Sequence, residues 1–112
     1  MTDAARIEAL RALAHPVRYR LLQSLEGGER NVGEIESVTG VEQPGLSQQL
    51  AVLRKAGLVE TRKEAKLVFY RLHGEALGKL GAEIGAFCTA AAPFRPRRRT
   101  SPGAANFARL HI

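Results

Sequence analysis

A single mainly α domain carrying one β-hairpin is the fold this sequence predicts, and three features predict it. Apolar residues recur at helical spacing as far as Ala56 and again from Gly74. Gly27, Gly28, Gly40 and Gly57 interrupt those runs where helices would stop. Between Gly57 and His73 the period shortens to about two and the residues become β-branched and aromatic, as in paired strands. The 112 residues suffice for one modest core and not for two domains.

Residues 3 to 13 read as the first helix, with Ile7, Leu10 and Leu13 along one side and Ala4, Ala5, Ala9 and Ala12 supplying propensity. His15-Pro16 ends it, because the residue before proline is pushed out of the helical region. Pro16 can open the second helix, which turns Val17, Leu21, Leu22 and Leu25 inward and Arg18 and Arg20 outward until Gly27-Gly28. His15 reads as structural, since no second histidine or carboxylate stands at ligand spacing from it. Asn31 followed three residues later by Glu34 is a capping box, opening a short helix from Val32 to Thr39 that buries Val32, Ile35 and Val38.

The stretch from Gln43 to Val59 organises the rest. Pro44 suits a first helical turn and Gly57 a left-handed stop, so the helix is expected from about Gln43 to Ala56. Leu46, Leu50 and Leu53 mark its buried face, while Ser47, Gln48, Ala51 and Lys55 fall on the other. A solvated surface helix normally presents Glu and Lys. Small hydroxyl, amide and basic groups are instead those that reach base edges and phosphates in a major groove. Two short helices joined by a tight Gly40 turn, the second with such a face, make a helix-turn-helix.

Leu58 to Lys63 and Lys66 to Leu72 then form the hairpin, with Glu64-Ala65 at its turn. Placed directly after a helix-turn-helix it is a wing, and Arg62, Lys63 and Lys66 are set to meet phosphates beside the groove. Charges that merely discourage edge-to-edge aggregation are the plainer reading of the same residues. A last helix from about Gly74 to Ala92 carries Leu77, Leu80, Ile84 and Phe87 on one face. Gly78, Gly81 and Gly85 within it cost about 1 kcal/mol each against alanine, which points to close packing against another helix. With the core already served, a two-fold dimer through the first and last helices is expected, using Ile7, Leu10, Leu77, Leu80, Ile84 and Phe87. The domain then spans 1-92, and the Pro- and Arg-rich segment 93-112 is expected to be a flexible basic tail.

Charge qualifies the inference about partners. The net charge is +6, yet the last acid is Glu83 and Arg95, Arg97, Arg98, Arg99 and Arg109 follow it; removing those five leaves +1 up to Glu83. Basicity is thus mostly a property of the tail, and DNA binding has to be argued from the motif. The single cysteine, Cys88, excludes an internal disulfide, and one cysteine with three scattered histidines gives no metal-ligand spacing, so neither metal nor other cofactor is expected. No run of apolar residues reaches a membrane span and the first residues lack the pattern of a signal peptide, so a cytoplasmic location is expected. No nucleophile-base set, carboxylate pair or phosphate loop stands in suitable context, so no enzyme is expected.

The segments LRALAHPVRYRLLQSL and NVGEIESVTGVEQPGLSQQLAVLRKAGLVETRKEAKLVFYRL, within positions 10 to 72, closely resemble the ArsR-type family of small bacterial and archaeal winged-helix repressors. The resemblance implies a homodimer that binds imperfect inverted repeats in double-stranded operator DNA and represses until an inducer is sensed. It maps Gln43, Ser47, Gln48 and Gln49 onto the base-reading helix and Arg62 and Lys66 onto the wing. The thiolate cluster of the family's arsenic sensors is missing from Val32 to Thr39. Glu75 and Glu83 lack the histidine that zinc sensors place with them on the last helix. The pattern is closest to the sulfide- and persulfide-responsive branch, which bridges a cysteine on the second helix to one on the last; only the latter, Cys88, is present.

Three readings of Cys88 follow: a buried core residue, a one-thiol sensor, or a bridge between protomers. The leading expectation is a dimeric operator-binding repressor, released by thiol modification if Cys88 senses. The alternative is a non-specific nucleic-acid or acidic-partner binder driven by the arginine-rich tail, without an inducer site.

Overall fold

The computed structural model describes residues 2–91; the tail proposed for 93-112 lies outside them. Five helices and three strands follow one another as α1 (Asp3–Leu13), α2 (Pro16–Ser24), β1 (Arg30–Asn31), α3 (Val32–Thr39), α4 (Gly45–Lys55), β2 (Val59–Glu64), β3 (Leu67–Leu72) and α5 (Gly74–Ala90). The sheet is antiparallel throughout, in the order β1-β3-β2.

The helix signals expected at Asn31, Glu34, Gly40 and Gly57 are realised, and two histidines add caps. Asn31 Oδ1 accepts from the Glu34 N–H and Glu34 Oε1 accepts from the Asn31 N–H, each at 2.9 Å, closing the capping box. Gly40 ends α3 at φ +75° and Gly57 follows α4 at φ +79°, conformations in which a Cβ would be strained. His15 caps α2 with Nδ1 accepting from the Val17 N–H at 3.2 Å, and His73 caps α5 by accepting from Ala76 at 3.1 Å. The structural role expected for His15 is this cap.

The core is aliphatic: Leu21, Leu25, Ile35, Leu46, Leu50, Leu53 and Leu58 are essentially inaccessible. Each such side chain stabilises the fold by about 1.5–3 kcal/mol relative to exposure. Several expected details are corrected. In α1 the alanines Ala9 and Ala12 are buried, Leu10 and Leu13 half-buried and Ile7 exposed. The small side chains therefore make the inner seam and let α1 lie close to α4, where the larger ones would hold it off. Val38 is 53% exposed, not buried, because Ile35 and the half-buried Val32 fill the inner face of this eight-residue helix. Helix α4 starts at Gly45, with Pro44 at the capping position and Gln43 outside the helix. Arg18 turns inward, toward the end of α1. The hairpin turn is Ala65-Lys66, with Glu64 opposite Leu67, one residue later than expected; Ala65 takes φ +56° to make it.

The last helix divides in two. Leu80 is 3% exposed and Leu77 half-buried, both against the protomer's own core, so Leu80 has almost no surface left for the expected dimer contact. From Gly81 to Thr89 every residue is exposed, including Ile84, Phe87 and Cys88. The reading of Cys88 as buried within the protomer is therefore incorrect. A Cβ built on Gly78, Gly81 or Gly85 would meet nothing within 4 Å, so the close approach predicted for these glycines does not occur within the protomer.

Candidate nucleic-acid interface

Helix α4 is held by its leucines. Leu46, Leu50 and Leu53 are wholly buried, which fixes the helix rotation and turns Ser47, Gln48, Ala51 and Lys55 to the exterior. At about 100° per residue, Gln48 and Lys55 lie nearly opposite the leucine seam and Ser47 and Ala51 beside them. Among the described residues the Ser47 and Gln48 side chains make no hydrogen bond and Lys55 no ion pair. Arg54, exposed and seven residues after Ser47, shares that flank and was missed by the sequence reading. The i, i+7 spacing from Ser47 was the available signal.

Two glutamines of the same segment differ. Gln43 Oε1 accepts from the Ser47 N–H at 3.0 Å, at a helix start where Pro44 offers no side-chain cap and the Leu46 N–H is held by the Glu42 carbonyl. Gln49 is half-buried and its Oε1 accepts from Arg18 Nη1 at 2.8 Å. Both carbonyls are therefore held within the protomer, although Gln43 remains at the exposed end of the helix.

The wing shows the same division. Arg62 sits over the ring of Phe69, its partner on β3, at 4.7 Å from the centroid. Its Nε donates to both Glu29 carboxylate oxygens at 3.0 Å, its Nη2 also contacts Glu29, and its Nη1 donates to Glu64 at 2.8 Å. The hydrogen bond from Arg62 holds the Glu29 carboxyl below its ordinary value, the nearby positive charge of Arg62 adding to the effect, and the paired acids keep Arg62 cationic. Glu60 and Arg71 form a second cross-strand pair at 2.7 Å. Lys63 and Lys66, by contrast, are exposed and form no ion pair with the described residues. Sequence alone could not reveal Glu29, which lies 33 positions before Arg62.

The expected dimer residues lie on α1 and α5. Ile7 is 47%, Ile84 44% and Phe87 74% exposed, and Arg6 joins α1 to α5 through Glu83 at 3.2 Å. Among the described residues no cluster of three or more His, Cys, Asp or Glu could hold a metal ion.

A capped helix pair whose second member shows a polar and basic face, followed by a basic-tipped hairpin, defines the winged helix-turn-helix class. Comparison with known proteins narrows this. A helix-turn-helix domain family matches residues 13–62. The chain is 49% identical to a biofilm growth-associated repressor of Xylella fastidiosa over 81 residues, 71% of each protein. The structure of HlyU from Vibrio cholerae, also solved in a reduced form, superposes with a TM-score of 0.63 at 38% identity, covering 79% of this chain and 99% of that one. A homodimeric winged helix-turn-helix DNA-binding domain of Mycobacterium bovis, described as a possible ArsR-family regulator, superposes with a TM-score of 0.64 at 30% identity, covering 80% and 88%. This chain belongs to the ArsR-type family of winged helix-turn-helix transcriptional regulators.

Proposed function

We propose that the protein is a cytoplasmic, dimeric transcriptional repressor that binds an inverted-repeat operator in double-stranded DNA. The observation that carries this reading is the outer face of α4, where Ser47, Gln48 and Lys55 are exposed and without protein partners among the described residues. Each α4 enters a major groove, with half-site centres about 34 Å apart. Ser47 and Gln48 read base edges, Lys55 and Arg54 meet phosphates at the end of the helix, and Lys63 and Lys66 meet phosphates at the wing. The protomers pair through Ile7, Leu10, Ile84 and Phe87; the exposure of Ile7, Ile84 and Phe87 on α1 and α5 supports this two-fold arrangement.

Selection from a random-sequence duplex pool tests the reading. It should yield an inverted repeat, and Ser47→Ala with Gln48→Ala should flatten discrimination against unrelated DNA. Unchanged discrimination would refute the assignment of the reading face. The exposed thiol of Cys88 near the end of α5 favours release by thiol modification. An alkylation rate at or below that of free cysteine, with operator release unchanged in Cys88→Ser, removes that part of the proposal.

A further inference from the structure

Arg18 stands in the first turn of α2, where its position in the sequence suggested a solvent-facing charge. Its guanidinium instead joins three elements. Nε donates to the Ala12 carbonyl at 2.6 Å and Nη2 to the Arg11 carbonyl at 3.2 Å, while Nη1 donates to Gln49 Oε1 at 2.8 Å. Ala12 and Arg11 lie in the last turn of α1, whose final carbonyls have no partner inside the helix. The remaining carbonyls there are served by the backbone: Leu10 accepts from Ala14 and Leu13 from His15, each at 2.9 Å. Arg18 thereby completes the cap of α1 and places a positive charge at the negative end of its dipole. Its third arm grips the middle of α4.

The location gives this fork a mechanical consequence. Helix α1 carries the exposed Ile7 of the pairing surface, and α4 carries the reading face. Between them runs a groove of about 410 Å³ lined by Glu8, Arg11, Ala12, Val52, Lys55 and Arg18 itself. Beside this groove the small side chains of α1 let it lie close to α4, and Arg18 ties the end of α1 to the middle of α4. We propose that Arg18 is a positioning residue that locks α4 to the end of α1 through Gln49, and so sets the separation of the two reading helices in the dimer. On this account Gln49 serves the register of the helices and does not read a base. The inference rests on the dimeric operator-binding reading above.

A planar guanidinium can serve two carbonyls and an amide at once; a lysine ammonium cannot reproduce that fork. The test uses the full chain and the inverted repeat that it selects from a random duplex pool, together with a series of duplexes in which the spacer between half-sites is lengthened or shortened by single base pairs. Arg18→Lys should lower affinity for the selected duplex about tenfold, the scale of a lost charged hydrogen bond. It should leave binding to mixed-sequence DNA and the salt dependence unchanged. It should also broaden tolerance of spacer length without altering the preferred half-site bases, an effect that a loss of folded protein would not produce once affinities are referred to the active fraction. Gln49→Ala, a milder change for folding, should broaden the spacing tolerance in the same way, and the two substitutions together should do no more than Arg18→Lys alone. Additive losses, a spacing preference as sharp as wild type, or equal loss on all DNA with a smaller salt slope would overturn the inference. If the wild-type chain selects no inverted repeat, the operator-binding reading itself fails, an outcome distinct from these.

Discussion

The outer face of α4 and the residues flanking it are similar in composition and opposite in circumstance. Ser47, Gln48 and Lys55 have no hydrogen bond or ion pair from their side chains among the described residues. Gln43, Gln49 and Arg62 are each held from within the protomer, by the Ser47 N–H, Arg18 and Glu29 respectively. The difference teaches that amide and basic residues near a DNA-binding helix divide into those that are available to DNA and those that position the elements presenting them. A glutamine whose Oε1 already accepts a bond in the protein is held in one orientation and must share or release that oxygen to make a bidentate base contact, which reduces its contribution to recognition.

The largest effect should come from the available face. Ser47→Ala with Gln48→Ala should reduce the ratio of operator to unrelated-DNA affinity by about ten- to a hundredfold, at about 1–3 kcal/mol for a good base contact; competition binding at fixed salt measures it. Next come the wing lysines: Lys63→Ala with Lys66→Ala should weaken binding on all sequences alike and lower the slope of log affinity against log salt by about 1 for each phosphate no longer neutralised. A preserved slope would remove both from the interface. Gln43→Ala should act on the fold, with a loss of about 0.5–2 kcal/mol of stability by urea denaturation, as for a missing helix cap, and little change in specificity. A change in base preference would move Gln43 to the reading group.

The smallest effect belongs to the Glu29 and Arg62 clamp, whose groups are exposed to screening by solvent. Arg62 lowers the folded-state pKa of Glu29 below its ordinary 4.5, so the clamp's contribution is present above that value and is lost as pH falls through the lower folded one. Glu29→Gln should abolish this acid-side dependence, followed by the chemical shifts of the wing on titration. Were Arg62 a phosphate contact, the same substitution would raise DNA affinity by releasing it; on the present account affinity is unchanged or falls.

What was legible in the sequence was local. The capping box at Asn31 and Glu34, the stops at Gly40 and Gly57 and the leucine seam of α4 all depend on neighbours within a turn or two. Strand β1 was not legible, since two residues, Arg30 and Asn31, become a strand only by pairing with Tyr70 and Phe69 of β3. The turn was misplaced by one because nothing marks Ala65 for a positive φ. The partners of Gln49 and Arg62 were hidden for a similar reason: they lie 31 and 33 residues away, and only the packed helices and sheet bring them together. The burial of Ala9 and Ala12 was missed because small residues satisfy both helix propensity and close packing, and periodicity does not distinguish the two.

One measurement bears on this division most directly: the binding energy of every single-base variant of the selected operator, determined for wild type, Gln48→Ala and Gln49→Ala. Gln48→Ala should erase the preference at one position in each half-site and leave the others intact. Gln49→Ala should preserve every base preference while weakening binding evenly across the series. Loss of a base preference in Gln49→Ala, with the full pattern retained in Gln48→Ala, would contradict the account.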